Sequence, residues 1–127
     1  MYKVEFYEDV DGFSDVREFL FELNQKKDKV KTARIQYQQV ARYIQELQEN
    51  GTNLSNNVVK HIEDEIWELR PGRNRVFFFY YYNGTYILLH HYVKKSQKTP
   101  RKEIERAKSE MKDYIFRKGK NNDMGRI

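Results

Sequence analysis

Hydrophobic positions recur with two different periods along the chain, and each change of period marks a new element. In residues 2 to 7, Tyr2, Val4 and Phe6 alternate with polar residues, which predicts a strand. Gly12 breaks that pattern, and Ser14 is placed to cap a short helix whose Val16, Phe19, Leu20 and Leu23 recur at i, i+3, i+4 and i+7. A longer helix follows, with Val30, Ala33, Tyr37, Val40, Ala41, Ile44 and Leu47 in one stripe and Asn50-Gly51 as its stop. After a polar loop to Asn57 the period returns to two. Val58 to Ile62 and Ile66 to Leu69 predict short strands, with Pro71-Gly72 as a turn. Arg75 to Tyr82 and Tyr86 to Lys94 predict a hairpin across Asn83-Gly84, a pair suited to the left-handed backbone of a tight turn. Thr99 then caps, and Pro100 opens, a last helix with Ile104, Ala107, Met111, Tyr114 and Ile115 on its apolar side.

The order β-α-α-β-β-β-β-α describes an α+β domain. Its expected form is a curved, mainly antiparallel sheet with two N-terminal helices and a C-terminal helix, the helices massed on one face and the other face open. A chain of 127 residues is long enough for one self-sufficient core, so a single domain over 1–116 is expected, followed by a mobile basic tail over 117–127. The longest apolar run, 76–93, is interrupted at Asn83-Gly84, and the start MYKVEFYEDVDG has no apolar signal core. With no Cys, disulfides and thiolate chemistry are excluded and a reducing, cytoplasmic setting is expected, without a membrane partner.

Charge changes the picture more than composition does. Residues 1–89 hold 12 Lys or Arg against 14 Asp or Glu, whereas residues 90–127 hold 12 against 5. The positive excess is therefore local, and a local excess points to a polyanion site. It is densest in HHYVKKSQKTPRKEIERAK, around the start of the last helix, where the helix dipole already disfavours cations. An anion at that place would resolve the conflict.

Three arginines, Arg70, Arg73 and Arg75, surround the Pro71-Gly72 turn, and an antiparallel return strand would bring Lys94 and Lys95 back beside them. Guanidinium forks and ammonium groups gathered at one sheet end suit phosphate recognition, although solvated turn residues are the plainer explanation. His90 and His91 must point to opposite faces, so only one can serve as an acid or base there, and a hydrogen-bonded structural role is the commoner fate. The run Phe77 to Tyr82, with Tyr86 and Tyr92, offers candidates for base stacking, of which about half must be core by alternation. Trp67 reads as a core or edge anchor. His61, Glu63, Asp64 and Glu65 lack any metal-ligand spacing, and no phosphate-loop, nucleophile-elbow or dinucleotide motif is present, so no metal and no cofactor are expected.

Two stretches, WELRPGRNRVFFFYY and ILLHHYVKKSQKTPRKEIERAK, together with the element order, carry a resemblance. They resemble the HigB branch of the RelE-like toxins, including its phage-derived members, over residues 2 to about 116. The more specific pattern is formed by Lys94, Lys95, Gln97, Lys98, Thr99, Pro100, Glu103, Ile104 and Ala107. The resemblance implies the toxin of a type II toxin-antitoxin module: a metal-independent endoribonuclease, or mRNA interferase. It would cleave mRNA on the translating ribosome, inhibit translation and growth, and be neutralised by a cognate antitoxin of helix-turn-helix DNA-binding type. Carried over by position, Arg73, Arg75, Lys94, Lys95, Lys98 and His91 form the catalytic set, and Arg70, Arg101, Lys102 and Tyr92 the RNA-binding set. Where some relatives carry lysines on the strand before the central arginine, this chain has Ile66 and Glu68. That leaves His90, His91, Tyr92 or a lysine as candidate general bases. Arg75→Ala is expected to abolish growth inhibition with little loss of fold. A non-catalytic RNA- or ribosome-binding module using the same basic face is the rival reading, and a subunit docking an acidic protein is a third.

Overall fold

The computed structural model describes residues 1–124, with side chains to residue 119. Its elements run β1 (Lys3–Phe6), α1 (Asp15–Lys26), α2 (Lys31–Asn50), β2 (Val59–Glu63), β3 (Ile66–Leu69), β4 (Asn74–Tyr80), β5 (Thr85–Val93) and α3 (Arg101–Met124). This is the predicted order, and the class is α+β. The five strands form one mixed sheet in the order β1-β5-β4-β3-β2, with β1 parallel to β5 and the other pairs antiparallel.

Local chemistry explains most boundaries. The Ser14 hydroxyl accepts from the Arg17 N–H at 3.2 Å and starts α1. Gly51 ends α2 at φ 61° with its N–H on the Leu47 carbonyl. A Cβ there would meet both the Tyr2 ring and the Tyr86 hydroxyl at 2.9 Å. Gly51→Ala is therefore expected to destabilise by more than about 1 kcal/mol, read as a lower urea midpoint at unchanged slope. At the hairpin, Asn83 and Gly84 both take positive φ, and Thr85 N–H closes the turn on the Tyr82 carbonyl. The last helix differs by one residue from expectation. The Pro100 carbonyl accepts from Glu103 and Ile104, so Pro100 itself, rather than Thr99, is the half-in residue. The same helix runs on through Arg117 to Met124, into the stretch expected as a tail. Arg117 is tied there to Asp113 at 2.7 Å and to the Glu8 carbonyl. Residues 125–127 of the expected tail lie outside the described residues.

The helices are not massed on one face, and this corrects the expectation of an open sheet surface. Val76, Phe78, Leu88, Tyr86 and Leu69 pack with Val16 of α1 and Leu47 of α2. Phe77, Phe79, Ile87, Leu89 and Ile66 pack with Ala107, Met111 and Tyr114 of α3 on the opposite face. The two central strands are thus covered on both sides, which is why Val76 to Phe79 is an unbroken apolar run instead of an alternating one. What remains open is an end of the sheet.

Candidate RNA-cleavage site

That end is where β3 and β5 finish and β4 begins. Arg75 pairs in register with Tyr92, and the Lys94 N–H donates to the Arg73 carbonyl at 2.8 Å. The Pro71-Gly72 turn and the loop after β5 are thereby held together, as the antiparallel hairpin predicted. Two shallow clefts result. One is lined by Lys60, Glu68, Arg70, Arg75, Tyr92, Lys94 and the loop from Ser96 to Thr99, and the other by Arg73, Lys94, Lys95, Ser96 and Gln97. The clefts share Lys94, Ser96 and Gln97, so the basic loop forms the ridge between them.

The floor of the first is electrostatically unlike its rim. Glu68, 2 % exposed, and Arg75, 6 % exposed, face each other with Nε to Oε1 at 3.6 Å. Arg70 brings its Nε to 3.4 Å of the same oxygen while Nη1 donates to the Asn56 carbonyl at 2.8 Å. The Arg70 Nε is buried without a hydrogen bond. Burial pushes the Glu68 carboxyl up, against the opposing pull of Arg75, Arg70, Lys60 and the Tyr92 phenol. Burial likewise lowers the Arg75 guanidinium, and Glu68 works against that shift. Burial also raises the Tyr92 phenol, with a Thr99 hydrogen bond opposing it. Arg75 spends Nη1 on the Gly72 and Asn74 carbonyls, at 2.8 and 2.9 Å. It therefore shapes the turn as well as lining the cleft, and the expectation that its removal would barely touch the fold does not agree with these bonds.

On the rim the cations are free. Among the described residues the loop cations Lys94, Lys95 and Lys98 form no ion pair, nor does Lys102 of α3, whereas Arg101, Arg106 and Lys108 of α3 are paired. Arg101 grips Glu63 with two bonds of 2.7 Å and also reaches Glu105. Lys108 joins the same Glu63, and the two cations hold that carboxyl down to about 2. Arg101 thus faces away from the cleft, and neither it nor Lys102 lines it.

The histidines are placed elsewhere too. The β4–β5 register slips between Val76 and Phe78, opposite Leu88 to His91, so Leu89 and His90 both turn toward α3. His90 is fully buried, with Nδ1 2.6 Å from Glu110 and Nε2 3.2 Å from Glu103. His91 lies on the other face, stacked on Phe19 at 3.9 Å, with Nδ1 2.6 Å from Asp15. Burial works against the Asp15 charge, but bonds from the His91 ring and N–H and the charge of Arg106 bring it to about 2. His91 is thus across the sheet from Arg75, Glu68 and Tyr92. Of the aromatic residues, Phe77, Phe78 and Phe79 are core. Tyr80 and Tyr82 are half exposed, at the hairpin end of β4 remote from Arg75. Among the described residues Tyr92 is the aromatic side chain lining the cleft with Arg70 and Arg75, and Trp67 packs on Phe78.

Sequence reasoning missed Glu68 and Lys60. A period-two count gives a signal for the first: Glu68 shares its strand face with the core residue Ile66, so a carboxylate had to point inward. Among the described residues no group of three or more His, Cys, Asp or Glu side chains is arranged to hold a metal ion, and no helix is long and apolar enough to cross a membrane.

The motifs that build this end of the sheet, from ELRPGRNR to KKSQKTP, fall within a matched family region. A family model described as phage-derived protein Gp49-like (DUF891) matches residues 18–112, from α1 into α3. No curated protein matches the chain. With the match spanning most of its length, the chain belongs to the phage-derived Gp49-like proteins, a toxin-type family related to the RelE-like toxins.

Proposed function

We propose that this protein is the toxin of a type II toxin-antitoxin module, of the HigB branch, and acts as a metal-independent endoribonuclease on mRNA. The observation that carries this reading is the gathering of Lys60, Arg70, Arg75, Lys94 and Lys98 around one cleft at the end of the sheet. In the proposed reaction a 2′-hydroxyl attacks the neighbouring phosphorus and charge builds on the phosphoryl oxygens. Cations fixed before the reaction lower that barrier without reorganising. Lys94 and Lys98 hold the phosphate from the rim, Arg75 and Arg70 supply the deeper charge, and Arg73 and Lys95 line the adjoining cleft for a neighbouring phosphate. The substrate is mRNA on the translating ribosome, in the cytoplasm. A cognate antitoxin of helix-turn-helix type neutralises the toxin. His91, Arg101 and Lys102, which lie off the cleft, have no part in this reading.

The test is brief induction in bacteria followed by mapping of new mRNA 5′ ends across the transcriptome. The parent protein is expected to create new ends in register with codons. The Lys94→Ala/Lys98→Ala double variant should lose about 100-fold or more of the cleavage. Its RNA affinity should also respond less to salt, with the log–log slope reduced by about 1.4 for two lost single-strand phosphate contacts. Arg101→Ala should stay within about threefold of the parent, because its guanidinium is committed to Glu63 and Glu105. RNA binding without new ends would leave a binding module in place of an enzyme. Absence of both would favour a subunit that docks an acidic protein.

A further inference from the structure

The basic cleft contains one acid, and its hydrogen bonding is incomplete. Glu68 Oε1 is approached by the Nε atoms of Arg70 and Arg75 at 3.4 and 3.6 Å, and Oε2 by the Tyr92 hydroxyl at 3.5 Å. None of these is a short hydrogen bond, although charge-assisted bonds to carboxylates ordinarily close to about 2.7–2.9 Å. A carboxylate 2 % exposed normally has its lone pairs fully engaged, and one left this loose asks for an explanation. It also lines the cleft, together with Arg70, Arg75 and Tyr92.

The two histidines are worse placed. His90 is sealed between Glu103 and Glu110, and His91 is held by Asp15 on the opposite face of the sheet.

We propose that Glu68 accepts the proton of the attacking 2′-hydroxyl, with Oε2 as the receiving atom. This rests on the ribonuclease reading above and adds to it the residue that moves the proton. The 2′-oxygen passes its proton to Oε2 and forms the bond to phosphorus. The P–O5′ bond breaks and its electron pair leaves on the 5′-oxygen, which takes a proton from water, and Glu68 then releases its own proton to water. The products are a 2′,3′-cyclic phosphate and a 5′-hydroxyl end. The upward push of burial on the carboxyl makes it a stronger base than an ordinary surface glutamate. The charged and titratable groups facing it are Lys60 of β2, Arg70 and Arg75 flanking the turn, Tyr92 of β5 and the rim lysines Lys94 and Lys98, with Glu103 of α3 acting on Tyr92.

The experiment is single-turnover cleavage of ribosome-bound mRNA from pH 5 to 9 by the parent, Glu68→Gln and Glu68→Asp, with RNA binding measured alongside. For the parent the rate should rise with pH through the titration of one group. Glu68→Gln should bind RNA within about threefold, lose about 10²–10⁴-fold in rate, and lose that acidic limb. Glu68→Asp keeps a carboxylate and should keep the limb, displaced along the pH axis, at a reduced rate. It also carries the test if the Gln variant fails to fold. A Gln variant within threefold of the parental rate, or an Asp variant whose limb coincides with the parent's, overturns the role of Glu68 while leaving the ribonuclease intact. No cleavage by the parent removes both.

Discussion

Arg75→Ala is expected to lower folding stability by about 1–3 kcal/mol at neutral pH, because the buried Glu68 carboxylate loses one of its two guanidinium neighbours and keeps Arg70 at 3.4 Å, and to remove the proposed cleavage. Both members of the pair are almost fully buried, so Glu68 cannot recover the lost interaction from water. The Gly72 and Asn74 carbonyls also lose their donor. The destabilisation should depend on pH in a defined direction. The folded-state pKa of Glu68 is raised above its unfolded value, so its contribution is fully present below the ordinary glutamate range and is lost as pH rises through the folded value. Without Arg75 the carboxyl is pushed further the same way. Urea midpoints of parent and variant should therefore lie closer together below the ordinary glutamate range than at neutral pH. Replacing both residues, as Glu68→Gln with Arg75→Met, should recover most of the stability, since a buried pair exchanged for neutral groups of similar size is often neutral. That double variant should still fail to cleave. Equal destabilisation of Arg75→Ala at both pH values would mean that the turn hydrogen bonds, and not the buried carboxylate, carry its cost.

The element order and the hairpin register were legible because each rests on local chemistry: Ser14 as a cap, Gly51 as a stop and Asn83-Gly84 as a turn. That register alone brings Arg73 and Lys94 together, so the basic end of the sheet could be read before the structure. Burial on two faces could not be read so easily. An unbroken run such as Val76 to Phe79 is equally consistent with a one-sided sheet bearing aromatic ligands and with a strand covered from both sides, and only α3 crossing the second face decides it. Individual pairings were the least legible. Arg101 and Lys94 stand in one basic stretch, yet a single long-range partner, Glu63 on β2, takes the first out of the cleft and nothing comparable takes the second. The placement of His91 was hidden for the same reason, since its partner Asp15 is 76 positions away in sequence.

Phe77→Ala and Phe78→Ala should each cost about 3–5 kcal/mol, because both rings are fully buried and leave a cavity the sheet cannot close. Their effects on the site should differ. Phe78 faces α1 and α2, edge-on to Tyr86 with ring centroids 5.5 Å apart. Phe77 faces α3, stacked on Tyr92 at 5.5 Å and against His90 at 5.0 Å. It is the floor on which the Tyr92 ring rests, and Tyr92 in turn lines the cleft beside Glu68 and Arg75. Truncation to Leu is the sharper comparison, since it keeps most of the apolar volume and lets both variants be assayed folded. Phe77→Leu should reduce cleavage about tenfold or more, as expected when a reacting constellation loosens by a fraction of an ångström. Phe78→Leu, destabilised to a similar degree, should cleave within about threefold of the parent once rates are compared at equal folded fraction, because the ring it shortens packs with α1 and α2, on the face of the sheet opposite Phe77 and Tyr92. Equal losses in the two variants would place the dependence on global stability, and would remove Phe77 as the support that keeps Tyr92 in register with the buried carboxylate.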